Sequence, residues 1–126
     1  MYEYNAIVDR VVDGDTIDCT IDLGFHTWKK VRVRMEGINT PESRTRDLEE
    51  KERGLAAKAR LEEILKLNNN ECILHVSGLG KYGRALASVY VTSLSPTPDD
   101  TSITLINVNK QLITEKHAVE YDGGAR

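Results

Sequence analysis

The chain has 126 residues, the length of one domain, and its 40% hydrophobic and 29% charged content are ordinary for a globular protein that buries a core. A formal net charge of −3 argues against a globally basic binder of polyanions, so any phosphate site must be a local cationic patch. No apolar run approaches the roughly 20 residues of a membrane-spanning helix, and the amino end, Met-Tyr-Glu-Tyr-Asn, lacks a basic stretch followed by an apolar one, so the expected location is the cytoplasm.

In chain order, Ala6, Ile7, Val8, Val11 and Val12 predict a first strand within residues 2–12. Asp13-Gly14-Asp15-Thr16 is a turn signal. Ile17, Cys19 and Ile21 then alternate with Asp18, Thr20 and Asp22, which predicts a second strand paired with the first as a hairpin. An EF-hand reading of Asp13 and Asp15 fails, because Ile17, Asp18 and Gly24 stand where that loop needs an Asp or Asn, a Gly and a Glu. Leu23 to His26 turns the chain into a third strand from about Trp28 to Glu36. There Val31, Val33 and Met35 share one face, and Arg32 and Arg34 the other.

The alternation stops at Gly37. Asn39, Thr40 and Glu42 then place three oxygen-bearing side chains within four residues, and Pro41 stiffens the loop. A cation at the strand's end, Arg34, beside clustered oxygen ligands is what a phosphate together with a hard metal ion requires. Taken alone, these residues fit an ordinary polar turn with a surface arginine better.

Residues 43–53 are dense in charge; Asp47 is placed to cap a helix, with Glu50 three residues on, and Gly54 is expected to weaken or divide it. Ala57, Leu61, Ile64 and Leu65 form the stripe of an amphipathic helix from Leu55 to Leu67, stopped by Asn68-Asn69-Asn70. Arg44 and Arg46 fit either the track of a nucleic-acid backbone or a solvated helix start. Cys72 to Val76 reads as a strand, Gly78 to Arg84 as a glycine-rich loop, Ala85 to Val91 as a strand, and 93–102 as a polar connection. Ile103 to Lys116 is expected to be a second helix, with a loosely held tail over 119–126. Cys19 and Cys72 have no metal-ligand spacing and are expected to be reduced core residues.

Three strands, a helix, two strands and a helix predict a single domain over 1–126. Its class is α+β, mainly β: a five-stranded Greek-key barrel of the OB type with two helices. Such barrels commonly carry oligonucleotides on one face.

Three blocks now stand in order: Val12-Asp13-Gly14-Asp15-Thr16-Ile17, Arg34-Met35-Glu36-Gly37-Ile38-Asn39-Thr40-Pro41-Glu42, and Lys81-Tyr82-Gly83-Arg84-Ala85-Leu86-Ala87. Together they resemble the staphylococcal nuclease family over residues 4 to about 121. The resemblance implies a calcium-dependent phosphodiesterase that hydrolyses DNA and RNA by in-line attack of water and leaves a 3′-phosphate. It implies that Asp15, Asn39 and the Thr40 carbonyl bind the metal, and that Glu42 holds or deprotonates the water. Arg34 and Arg84 would grip the scissile phosphate, while Lys81, Tyr82 and Tyr121 would contact a neighbouring nucleotide. Planar guanidinium groups suit that task better than lysine, because each pairs with two phosphate oxygens.

Asn39 departs from the family, which usually has a second metal-binding aspartate there; an amide oxygen still ligates calcium, with one fewer negative charge. An alternative from another class is therefore a non-catalytic domain of the same fold, binding single strands or a protein partner. The retained Arg34, Glu42 and Arg84 favour the enzyme. The family's further carboxy-terminal helix is expected to be absent. The partners expected are a DNA or RNA substrate, no membrane and no obligatory protein, with the chain acting as a monomer. Trp28 is expected to pack, and Tyr82 to stack on a base.

Overall fold

The computed structural model describes residues 2–79, 83–94 and 103–121. In chain order these form β1 (Tyr2–Asp13), β2 (Thr16–Asp22), β3 (Trp28–Met35), β4 (Ile38–Asn39), α1 (Leu48–Lys66), β5 (Glu71–Leu79), β6 (Ala85–Leu94), β7 (Ile103–Asn107), α2 (Val108–Thr114) and β8 (Val119–Glu120). The main sheet runs β3-β2-β1-β5-β6-β7, and a further pairing of β3 with β6 closes its first five strands into a barrel. That closing pair is parallel, with Val33 opposite Ala85, Arg34 opposite Leu86 and Met35 opposite Ala87. The result is the expected five-stranded barrel, mainly β, with two helices among the described residues.

Alternation sends Ile17, Cys19, Val33, Met35, Leu74, Ala87 and Val89 into the barrel, all fully buried. Leu61 and Leu65 of α1 and Val108 and Leu112 of α2 complete the core. Each buried Val, Leu, Ile or Met among them contributes roughly 1.5–3 kcal/mol of burial. Cys19 and Cys72 are free and buried among these side chains. Contact with Cys72 and desolvation push the Cys19 thiol far above its usual range, which keeps it inert.

Helix α1 begins where expected: the Asp47 carboxylate accepts from the Glu49 and Glu50 amides at 3.0 and 3.2 Å. It then runs through Gly54 without division. The glycine is there for contact, since a Cβ would lie 2.5 Å from the backbone carbon and oxygen of Glu42.

The second helix is shorter than expected. Residues 103–107 form β7 along β6, and only Val108–Thr114 are helical. Thr104 and Ile106 are β-branched and suit a strand, and the Asn107 carboxamide accepts from the Lys110 amide at 3.1 Å, capping the helix five residues later than residue 103. The tail expected from 119 also starts ordered: Val119 and Glu120 pair with Asn39 and Ile38, and the Tyr121 amide donates to the Gly37 carbonyl at 2.9 Å. Strand β5 extends to Leu79, which takes Gly78 and Leu79 out of the expected loop.

Candidate metal and nucleic-acid site

The site forms where three chain segments meet at one end of the barrel. The first is the β1–β2 turn. A Cβ on Gly14 would come 2.8 Å from the Ala57 Cβ and 3.0 Å from Thr40, so α1 and the 40–43 loop press on this turn. Asp15, next in the chain, is 2% exposed. Its carboxylate accepts from the Thr16 hydroxyl at 3.0 Å and from the Thr40 amide at 3.0 Å, and its carbonyl accepts from the Met35 amide at 2.8 Å.

The second segment is the end of β3. Arg34 donates through Nη1 to the Met35 carbonyl and through Nη2 to the Ile38 carbonyl, both at 2.9 Å. The same Nη2 lies 3.3 Å from the Asn39 Oδ1 and 3.5 Å from the Asp15 Oδ2. The guanidinium carbon stands 5.7 Å from the centroid of the Tyr121 ring, a cation–π distance. Asp15, Arg34, Asn39, Thr40 and Tyr121 are thus brought together from positions far apart in the chain.

The third segment is the loop carrying Glu42, whose side chain is exposed. Its amide donates to the Glu50 carboxylate at 3.4 Å. Ser43 is buried and its hydroxyl donates to the Asp13 carboxylate. With Gly54 in contact beneath, the loop is clamped between α1 and the β1–β2 turn.

Arg84 stands one residue ahead of β6 and is partly buried. The register sets Arg34 opposite Leu86, two residues after Arg84 in the chain. Lys81 and Tyr82 lie outside the described residues.

Three supports are missing from the sequence reading: Gly54, Ser43 and Asn109. The Asn109 side chain, 3% exposed, accepts from the Val89 amide at 3.0 Å and donates to the carbonyls of Glu36 at 2.8 Å and Ala87 at 3.3 Å. It ties the first turn of α2 to the turn that follows Arg34. A glycine inside a strong helical stripe was the available signal for Gly54; nothing local marks the other two.

The donors suit a hard cation. The Asp15 carboxylate and the Asn39 amide already share one positively charged nitrogen, and oxygen ligands of this kind select calcium over soft metals. Among the described residues no three His, Cys, Asp or Glu side chains converge. The fixed negative charge at the centre is therefore that of Asp15, with Glu42 on the loop beside it.

A closed five-stranded β-barrel with two helices, carrying oxygen donors, a tethered arginine and a clamped acidic loop at one end, defines an OB-type domain. The chain belongs to the staphylococcal nuclease homologue family, whose model matches residues 32–124. No curated protein matches it significantly. Family membership points to a nuclease-like or nucleic-acid-binding function. The matched span begins after the β1–β2 turn, so the place of Asp15 rests on its contacts with Thr40 and Arg34. Among the described residues no helix is long and apolar enough to cross a membrane.

Proposed function

We propose that the chain is a calcium-dependent nuclease of DNA and/or RNA, acting as a cytoplasmic monomer by in-line attack of water and leaving 3′-phosphate ends. The observation that carries this reading is the Arg34 guanidinium held against the Asp15 and Asn39 oxygens, beside the clamped Thr40–Glu42 loop.

The residues divide the work as follows. Arg34, already fixed by two backbone carbonyls, and Arg84, just ahead of the adjacent strand, stabilise the negative charge that builds on the phosphate oxygens. Preorganisation matters here, because a guanidinium that does not reorient during the reaction contributes most. Asp15, Asn39 and the Thr40 carbonyl would hold calcium, which supplies a hard positive charge against the same oxygens. Glu42 accepts a hydrogen bond from the attacking water and orients it opposite the leaving oxygen. The new P–O bond forms as the P–O5′ bond breaks; the water gives up a proton to Glu42, which releases it to solvent, and the 5′ oxygen takes one from solvent. Lys81, Tyr82 and Tyr121 contact the neighbouring nucleotide.

Asn39 favours one second reading, a domain that binds single strands without cutting them, since it leaves the metal position a charge short. Cleavage decides between the two. Single-stranded DNA is incubated with calcium up to about 10 mM, with a chelator control and with the Glu42→Gln protein. The nuclease reading expects cleavage that the chelator stops and the variant loses. Binding with no cleavage at any calcium level would establish the second reading.

A further inference from the structure

The small ribbon of β4 and β8 separates two clefts. One is lined by Gly37, Ile38, Asn109, Lys110 and Tyr121, on the side where Tyr121 meets Arg34. The other, of about 580 Å³, is lined by Asn39, Thr40, Glu42, Arg53, Lys116 and His117. We propose that this second cleft binds the phosphates of a nucleic-acid strand that continues past the scissile bond away from Tyr121, with Arg53 and Lys116 as its cations. The inference rests on the nuclease reading and deepens it. A strand held on both sides of the cut is a polynucleotide cleaved at internal bonds.

The backbone brings both cations to the cleft, where their side chains are exposed. Arg53 precedes Gly54, so the close contact of α1 with the Glu42 backbone brings it to the cleft. Lys116 has φ +65°, in the left-handed region that disfavours residues with a Cβ. It sits at the end of α2, where its amide donates to the Ile113 carbonyl and that of His117 to the Leu112 carbonyl, both at 2.9 Å. Glycine is the usual residue at such a position. A lysine there complements the carboxyl end of the helix. The end of α2 is itself anchored to α1, because Arg60 pairs with Glu115 through two contacts of 2.5 and 2.8 Å.

Neither Arg53 nor Lys116 forms an ion pair among the described residues, whereas Arg32, Arg34 and Arg60 all do. Glu42 and Glu50 line the same cleft, so the two cations are matched in number by carboxylates. The cleft is therefore a poor anion site by itself. It adds affinity only for a strand already anchored at Arg34, which makes it an extension of the central site.

The test measures binding in chelator, where no cleavage intervenes. Fluorescein-labelled oligothymidylates of two and eight nucleotides are titrated with the native protein, with Arg53→Ala/Lys116→Gly, and with Lys29→Ala/Lys30→Ala as an equal charge change elsewhere on β3. Lys116→Gly relieves the backbone strain, so this variant should not melt earlier at that position, and a loss of binding is not a loss of fold. Expected is a roughly tenfold loss of eight-mer affinity near 0.1 M salt, with the salt slope reduced by about 1.4, which is 0.7 per single-strand phosphate contact. The two-nucleotide affinity should stay as it is, and the β3 variant should show a clearly smaller loss. The proposal is overturned if the cleft variant binds the eight-mer as the native protein does, or loses no more than the β3 variant. A protein that shows the expected pattern but never cleaves would overturn the nuclease reading and leave the cleft standing.

Discussion

Two hairpin turns of the barrel, β1–β2 and β2–β3, are used in opposite ways. The β2–β3 turn around Gly24 closes on itself: the Leu23 and Thr27 amides donate within the turn at 2.9 Å, and the Gly24 amide donates to the Asp22 carboxylate at 2.8 Å. A Cβ on Gly24 would meet nothing within 4 Å, and Phe25 is 99% exposed. The β1–β2 turn is held from outside by Ala57 of α1 and by Thr40, and it buries Asp15. A turn that closes on itself can be replaced without consequence elsewhere. A turn clamped by a helix and a distant loop fixes where its carboxylate sits, and the proposed chemistry lies at that end.

Four changes would break or sharpen this contrast. Gly54→Ala should have the largest effect, because the new methyl group collides with backbone atoms that cannot rotate away. Overpacking of this kind costs up to about 3 kcal/mol, read as a fall in Tm of roughly 10 °C. An unchanged Tm would show that α1 does not clamp the Glu42 loop. Asn39→Asp adds a negative charge where Arg34 already finds an oxygen. It should lower the calcium needed for half-maximal rate by about tenfold, or 1.4 kcal/mol. No change would remove residue 39 from the metal shell.

The third change is in pH. Hydrogen bonds from Arg60 and then from Gln111 hold the Glu115 carboxyl down at about 2, below its ordinary 4.5. A depressed carboxylate stabilises the fold above its unfolded pKa and loses that contribution as pH falls through its folded one. Native protein should therefore lose stability between pH 4.5 and 2 that Glu115→Gln never had. The full shift would be worth more, but Arg60 is 30% exposed and Glu115 23%, so solvent screening reduces the difference to about 1 kcal/mol. Denaturant midpoints of the two proteins at both pH values measure it. Phe25→Ser, at the turn that closes on itself, should shift Tm by less than about 1 °C, since an exposed ring buries nothing.

Local patterning made much of the fold legible. The hairpin, the alternating faces of β3 and the stripe of α1 are short-range signals, and all three hold. The segment 103–116 was misread although its signals were present: Thr104 and Ile106 suit a strand, and Asn107 marks the helix start. Gly54 was judged by helix propensity alone, while its reason lies twelve residues back in the backbone of Glu42. The parallel closure of β3 on β6 joins residues about fifty apart, and no periodicity reveals such a pairing. The same holds for Asp15 and Thr40, joined across 25 residues. Motif resemblance named those two residues; only the fold shows that one braces the other.

The most direct test of the proposed chemistry is the identity of the new ends when single-stranded DNA is cut in the presence of calcium. In-line attack of water with departure of the 5′ oxygen predicts 3′-phosphate and 5′-hydroxyl termini, absent with chelator. Products ending in 3′-hydroxyl, or cleavage indifferent to the chelator, would contradict the roles given to Asp15, Arg34 and Glu42.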